Sequence, residues 1–228
     1  YLVCGNDYQD EVIWDEALTK IFLSTLDFYK YEFTTVVTDF VSQEQRNSKS
    51  LLEYMSHYLN SYARVLIVRV DLKIKVEFAH LVNIETFHGF MCDLRDELGR
   101  KRGCFKNLRG HAWAIEQGIE TGGLHCHLLL IYNGDMHRKD WPLGCSVGRK
   151  WIEITDGLGH YYNCNTTEHK NFYKTHGLLG IGMIHKSNEL EKDNAERAAL
   201  YLTRPEKYEQ RLKTFLPSMR SFGRGRIP

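Results

Sequence analysis

Two histidines in a short apolar segment are the residues of this chain best suited to chemistry. His125 and His127 lie in the run LHCHLLLIY, residues 124–132, whose composition is typical of a β-strand. Because side chains alternate across a strand, both imidazoles are expected on one face of a sheet. Cys126 then points to the opposite face, where we expect it to pack as a small hydrophobic residue.

A carboxylate is available near these histidines. An apolar run, residues 112–115, ends at Glu116, and Thr121-Gly122-Gly123 supplies a turn before the histidine segment. If the two runs pair as a hairpin, Glu116 lies across from the imidazoles, and the three side chains form a divalent-metal site with open coordination positions. The alternative is a solvated polar strand face. The apolar flanks favour the metal site, because they indicate a central strand in which buried imidazoles need partners.

The donor set indicates which metals fit. Two imidazoles and one carboxylate leave room for water and phosphate oxygens, so Mg²⁺ or Mn²⁺ suits a phosphodiester reaction, although zinc fits the same donors. Asp71 lies on an earlier strand-like segment and faces the same side as Arg69. It could approach the metal or hydrogen-bond a ligand histidine, and a surface carboxylate paired with Arg69 or Lys73 is an equally open interpretation.

A nucleophile is the second requirement, and Tyr201 is the candidate. Tyr201 and Arg204 are three residues apart in a helical segment, so the phenol and the guanidinium project together. A neighbouring cation and a metal-polarised phosphate would help the phenolate to form and attack, which gives a phosphotyrosine ester. The alternative is a core tyrosine beside a surface cation.

Composition excludes little beyond a membrane protein. The 228 residues carry 30 basic and 29 acidic side chains, so overall charge does not indicate a nucleic-acid binder, and any such surface must come from local clusters. Two such clusters of basic residues exist, at residues 95–109 and 220–226, although solvated loops would look the same.

Six cysteines without a CxxC pair argue against a disulfide framework, so we expect a reducing cytoplasm. No apolar run reaches the length of a membrane span.

The elements that must position these residues begin with helices. Residues 10–44 show helical spacing in one long or once-broken helix, and residues 48–60 predict a second, which gives a helical N-terminal extension over residues 1–62. A strand at 64–74, a helix at 81–100 and strands at 112–118 and 124–132 follow. A helix at 143–155, a strand at 178–185 and a helix at 189–204, stopped by Pro205, complete the chain. This order predicts an α+β, ferredoxin-like (split βαβ) domain over residues 63–228, an antiparallel sheet with helices on one face.

Taken together, these segments resemble the HUH endonucleases, the superfamily of rolling-circle replication initiators, relaxases and single-strand nickases. The resemblance rests on Glu116, then His125-Cys-His127, then Tyr201-Leu-Thr-Arg204 on a late helix. More narrowly, the chain is similar to the inovirus gene-two-type replication proteins, also called the YagK/YfjJ C-terminal domain family. The further matching segments, within roughly residues 64–226, are Arg69-Val-Asp-Leu72, Leu128–Gly134, Trp151 with Thr155-Asp-Gly157, Ala199–Arg204 and Arg220-Ser-Phe-Gly223.

The resemblance implies an activity. The metal would be Mg²⁺ or Mn²⁺ held by His125, His127 and Glu116. Tyr201 would nick single-stranded DNA, from an origin or a hairpin, and keep the 5′-phosphate covalently until the strand is rejoined. Phosphates would be contacted by the arginines Arg69, Arg220 and Arg224, with Arg204 beside the tyrosine. A helicase would be a further partner, and the setting would be the cytoplasm of a bacterial host, with a phage or mobile element encoding the protein.

One departure from the family pattern leaves alternatives open. Arg204 replaces the usual lysine, and arginine stays protonated, so it can hold a phosphate but cannot move a proton. Lys207 is a candidate for that role, but it follows Pro205 and its direction is open; Tyr208 is a second candidate nucleophile. The alternative functions are a non-catalytic nucleic-acid-binding module on the same scaffold and a metal-dependent hydrolase that uses water.

Overall fold

The computed structural model describes residues 16–118 and 122–227. A long helix precedes a sheet of six strands, and four further helices lie in the connections between those strands. The helices and strands in chain order are α1 Glu16–Ser61, β1 Arg64–Ile74, α2 Ile84–Arg100, β2 Leu108–Gln117, β3 Leu124–Asn133, α3 Asp140–Ile154, β4 Gly159–Asn163, α4 Thr167–Thr175, β5 Gly182–His185, α5 Glu189–Leu200 and β6 Phe222–Arg224. Short 3₁₀ turns cover Val76–Leu81, Gly103–Phe105, Tyr201–Thr203 and Pro205–Gln210.

The sheet is antiparallel throughout, with strand order β4-β1-β3-β2-β6. The segment from β1 to β4 runs strand, helix, strand, strand, helix, strand, and its spatial order is that of a split βαβ unit. β4 pairs with the second half of β1, and β5 pairs with its first four residues. The predicted α+β class with an antiparallel sheet is therefore confirmed.

Helices cover both faces of the sheet. On one face, Val68 and Leu128 pack with Phe87 of α2 and Trp151 of α3. The opposite face packs against the C-terminal half of α1 and against α5. The prediction of helices on one face is wrong in this detail. The physical reason is that β1 and β3 are apolar at consecutive positions, so both sides of each strand must be buried.

α1 is one continuous helix. The sequence predicted a helix over residues 10–44, with a break left open, and a second helix over residues 48–60. Residues 10–15 of the predicted first helix lie outside the described residues. The described residues form two compact units, one that ends at Val41 and one that begins at Ser42. In the second unit α1 buries a row of side chains against the sheet, namely Leu51, Tyr54, Met55, Tyr58 and Leu59. The domain boundary predicted after residue 62 stays a prediction.

The end of the last helix also differs from prediction. α5 stops at Leu200, and Tyr201 starts a 3₁₀ turn that ends before Arg204, whose backbone is extended. Pro205 explains this, because the residue before a proline is sterically excluded from the α conformation. The strands β4 and β6 and the helix α4 were not predicted; each is short, and none shows a long hydrophobic period.

Among the helices that the structure describes, none combines the length and the apolar character that a membrane span requires. The described cysteines are all free thiols, and Cys126 is fully buried in the core on the face opposite the histidines, as predicted. Cys4 lies outside the described residues.

Two glycines let α3 lie directly on β4. A Cβ at Gly148 would overlap the ring of Tyr161, and one at Gly144 would overlap the side-chain amide of Asn163. We expect Gly148→Ala to destabilise the protein by about 1–3 kcal/mol through overpacking. In the matched control, a Cβ added at Gly89 on α2 would meet no atom within 4 Å, and Gly89→Ala should stabilise by about 0.5–1 kcal/mol. Urea unfolding measures both; an equal effect of the two substitutions would contradict the close helix–strand contact.

Candidate metal centre

The register of three adjacent strands brings the predicted ligands together. In the β2–β3 hairpin Glu116 pairs with His125, and in the β1–β3 pair Asp71 is opposite His127. Directly paired residues in antiparallel strands point to the same side of the sheet. The four side chains therefore form a row across one face, beyond the end of the core that α1 and α5 cover.

Glu116, His125 and His127 can hold a metal ion. Oε2 of Glu116 lies 3.3 Å from Nε2 of His127 and 3.6 Å from Nε2 of His125. One donor atom from each of the three residues lies within 4.8 Å of the others, and Glu116 and His127 are buried. Two imidazole nitrogens and a carboxylate oxygen are a donor set that divalent metals accept, so the residues present fit such an ion.

Asp71 orients one of these imidazoles. Its Oδ1 is 2.6 Å from Nδ1 of His127, so the Nδ1–H group of His127 donates a hydrogen bond to Asp71. This hydrogen bond turns Nε2 of the ring toward Glu116. Burial raises the pKa of Asp71, but the hydrogen bond from His127 and the charge of Arg69 outweigh burial and hold the pKa below the usual carboxyl range. Asp71 thus stays ionised and fixes the His127 ring behind the ligand atoms.

Lys207 enters the same cluster. Its Nζ is 2.6 Å from Oε1 of Glu116 and 3.5 Å from the ring centroid of Tyr201. Burial raises the pKa of Glu116, but hydrogen bonds from His125 and His127 and the charge of Lys207 outweigh burial, and the pKa is lowered overall. The sequence left the direction of Lys207 open, and the 3₁₀ turn after Pro205 is what points its side chain into the site.

Tyr201 lies against the ligands and is surrounded by cations. Its ring centroid is 5.1 Å from that of His127, and the guanidinium carbons of Arg69 and Arg204 lie 4.1 and 5.2 Å from it. Burial raises the pKa of Tyr201, and the charges of Glu116 and Asp71 raise it further, whereas Arg69 lowers it. The phenol is therefore protonated at neutral pH and has cations beside it that favour the phenolate.

α1 supports the turn that carries Tyr201. The hydroxyl of Ser48 donates a hydrogen bond to the carbonyl of Thr203 and lies 2.9 Å from its Oγ1. Glu44, one turn earlier, is buried and interacts electrostatically with Glu116 and Lys207. Sequence analysis missed both residues, because a polar residue in a mostly polar helix gives no signal of what it contacts.

The other predicted residues lie in different settings. Nε of Arg224 donates to the hydroxyl of Ser50, and its guanidinium packs on the ring of Tyr54, so this arginine ties β6 to α1. Arg220 is exposed just before β6. The ring of Tyr208 packs under the guanidinium of Arg211, 3.7 Å from its carbon.

The fold and the site define an α+β protein with a candidate metal centre built on adjacent antiparallel strands. The family model of the YagK/YfjJ C-terminal domain matches residues 37–225, and the chain belongs to this family. No curated protein matches the chain significantly. The family match begins within α1, so it includes a part of that helix that the resemblance drawn from motifs left out.

A divalent cation bound at Glu116 would compete with Lys207 for that carboxylate, and this gives a testable consequence. We expect Lys207→Met to bind Mn²⁺ roughly three- to tenfold more tightly, because a positive charge beside the ligands is removed. Titration of the chelator-treated protein, followed by electron paramagnetic resonance of free Mn²⁺, measures this. Lys213→Met, at an exposed lysine, should match the wild type, and His127→Ala should lose the site. Unchanged or weaker binding by Lys207→Met would contradict the competition.

Glu44 predicts a pH dependence of stability. Burial raises the pKa of Glu44 from 4.5 to about 7; the Asn47 hydrogen bond lowers it, and the charge of Glu116 raises it. Between these two values the folded protein binds more protons than the unfolded chain, so this carboxyl lowers stability as pH rises. Glu44→Gln should therefore be as stable as the wild type near pH 4.5 and about 1–2 kcal/mol more stable at pH 8.

Denaturant unfolding across this pH range measures the difference between the two proteins. Glu53→Gln, an exposed position on the same helix, is the control and should show no pH-dependent difference. A constant difference between Glu44→Gln and the wild type at all pH values would show that burial does not penalise the Glu44 charge.

Proposed function

We propose that this protein is a metal-dependent single-strand DNA endonuclease of the HUH type, related to the inovirus replication proteins, that nicks and rejoins DNA through Tyr201. The observation that supports the proposal is the contact of the Tyr201 ring with His127, because a phenol beside the candidate metal ligands is suited to act as the nucleophile. A tyrosine that served only the core would not need Arg69, Arg204 and Lys207 around its ring.

The surroundings of Tyr201 support a phosphodiester as substrate. Arg69 is largely buried, and its Nε has no hydrogen-bond partner among the described residues, so a phosphate oxygen would satisfy it. Arg204 is exposed at the edge of the same site. Because Tyr201 is only partly exposed, the scissile phosphate must reach into the sheet face, which a flexible single strand does more readily than a duplex.

Mg²⁺ or Mn²⁺ on Glu116, His125 and His127 would supply Lewis-acid stabilisation of the charge that develops on the phosphate. Asp71 keeps His127 in the required tautomer and orientation. Arg69 holds the phosphate and favours the phenolate of Tyr201.

The covalent step balances with groups in the site. The phenol oxygen of Tyr201 attacks phosphorus, the bond from phosphorus to the 3′-oxygen breaks, and the products are a 5′-phosphotyrosine ester and a 3′-hydroxyl. The phenol loses a proton and the leaving oxygen gains one. Lys207 is the proton-carrying group held against the ring, and we assign to it the role that Arg204 cannot perform. Attack by the 3′-hydroxyl on the ester reverses the step and rejoins the strand.

The biological setting of this proposal is rolling-circle replication or mobilisation of phage or mobile-element DNA in a bacterial cytoplasm, with an origin or hairpin as substrate and a helicase as partner. The alternative is a non-catalytic nucleic-acid-binding module on the same scaffold. The near-neutral charge and Arg204 in place of lysine favour it. A module of that kind would bind DNA without forming an adduct.

Matched tyrosine variants test the proposal. The wild type, incubated with Mn²⁺ and a labelled hairpin-rich single-strand library, should form a covalent protein–DNA adduct on denaturing gels, and chelator should prevent it. Tyr201→Phe should lose the adduct, because it removes the hydroxyl of the tyrosine whose ring contacts His127.

Tyr208→Phe is the control and should keep the adduct. An adduct that persists in Tyr201→Phe and disappears in Tyr208→Phe would move the nucleophile to Tyr208. Cleavage without any retained DNA would instead support a hydrolase that uses water. Binding without cleavage of the whole library would favour the binding module.

A further inference from the structure

A ladder of aromatic rings runs from β4 along α4. Tyr162 on β4 contacts His169, with ring centroids 5.9 Å apart and its hydroxyl 3.4 Å from Nδ1. His169 contacts Tyr173 at 5.0 Å, Tyr173 contacts Phe172 at 5.3 Å, and Phe172 contacts His176 at 4.8 Å. We call these five residues the ring ladder.

The ring ladder is directed to solvent. Phe172 is 61% exposed, Tyr162 is 45% exposed, and α4 has no buried residue. A helix normally buries one apolar face, so aromatic side chains on an exposed helix need another explanation. The helix starts with a capped N-terminus at Thr166, whose hydroxyl accepts from the backbone of His169, so α4 is held as a defined element.

The ring ladder begins beside the metal centre. Tyr162 pairs with Asp71 across β4 and β1, so its side chain leaves the sheet on the face that carries the ligands. His169 lies close enough for the charges of Arg69 and Asp71 to act on it: burial lowers the pKa of His169, Arg69 lowers it further, and Asp71 raises it. The exposed rings thus continue the surface of the site outward.

The composition of this surface suits a nucleic-acid strand. Aromatic faces stack on bases of any sequence, and nearby cations meet the backbone phosphates. Lys174 is exposed beside Tyr173, and Lys170, which pairs with Asp140, lies one turn from it. A protein partner would place apolar side chains on the same face, but nothing would then require the continuity with Arg69 and the ligand row.

We propose that the ring ladder is a base-stacking platform that binds the single strand next to the scissile phosphate. The inference rests on the proposed function for its substrate class, and it assigns a binding role to Phe172, Tyr173 and Tyr162. Because stacking tolerates every base, the platform would hold DNA without reading its sequence, and other groups would have to select the site of cleavage.

Binding in chelator tests the platform apart from catalysis. The probe is fluorescein-labelled (dT)₂₀, measured by anisotropy. We expect Phe172→Ala to raise Kd about tenfold, within the range for loss of one stacked base. Phe172→Leu keeps an apolar side chain but no ring and should bind as weakly as the alanine variant. Met136→Ala, 62% exposed beside the Arg64–Asp135 ion pair at the far end of β1, should bind as the wild type does.

Three results would overturn the platform: wild type that does not bind (dT)₂₀, Phe172→Ala within twofold of wild type, or Phe172→Leu equal to wild type. Thermal unfolding by circular dichroism checks that Phe172→Ala is folded. If it is not, photocrosslinking of wild type to a 5-iodouracil strand decides, with crosslinks to Phe172 or Tyr173 supporting the platform and crosslinks only elsewhere refuting it. The Mn²⁺ adduct assay tests the nicking proposal separately. Strand binding by the ring ladder and nicking through Tyr201 can therefore each fail while the other holds.

Discussion

Strand register is the constraint on which the rest of this structure depends. Asp71, His127 and Glu116 come from three different strands, and they meet only because β1, β3 and β2 pair without slippage along the site. A shift of one residue would turn the ligands into the apolar core and bring core residues to the site. The register is secured by burial on both faces, since β3 is almost wholly inaccessible from Cys126 to Tyr132. The core thus positions the chemistry and does more than stabilise the fold.

Charge compensation is the second feature on which the site depends, because it offsets the energetic cost of burying the carboxylates. Two largely buried carboxylates and a half-buried phenol lie close together, which would be costly without charged partners. Arg69 and Lys207 supply the opposite charges: one contacts Asp71 and the other Glu116, and both lie on the Tyr201 ring. These two cations offset the carboxylate charges, and in the proposed reaction they would also contact the phosphate.

A feature of this protein could be predicted from the sequence where it depends on residues close together in the chain, and not where it depends on distant ones. The hairpin, the shared face of His125 and His127 and the class of the fold follow from alternation and turn residues, which are local. The position of Lys207 does not, because it depends on a 3₁₀ turn after Pro205 that has no sequence period. Glu44 and Ser48 also escaped prediction, since their partners lie far along the chain. The short β4 and α4 have too few residues to show a pattern, although they carry the aromatic ladder.

The hydrogen bond from Ser48 to the Thr203 turn bears on which segments of the chain must stay together for the site to form. Ser48 lies on the helix that precedes the sheet, more than 150 residues before Thr203 in the chain. It nevertheless contacts the turn that carries Tyr201 and supports the site. The family match also starts within this helix. Recombination that joined a foreign segment at the start of β1 would keep the ligands and the tyrosine but lose the support beneath them. The structural unit that supports the site is thus the sheet together with the part of α1 from Ser42 onward.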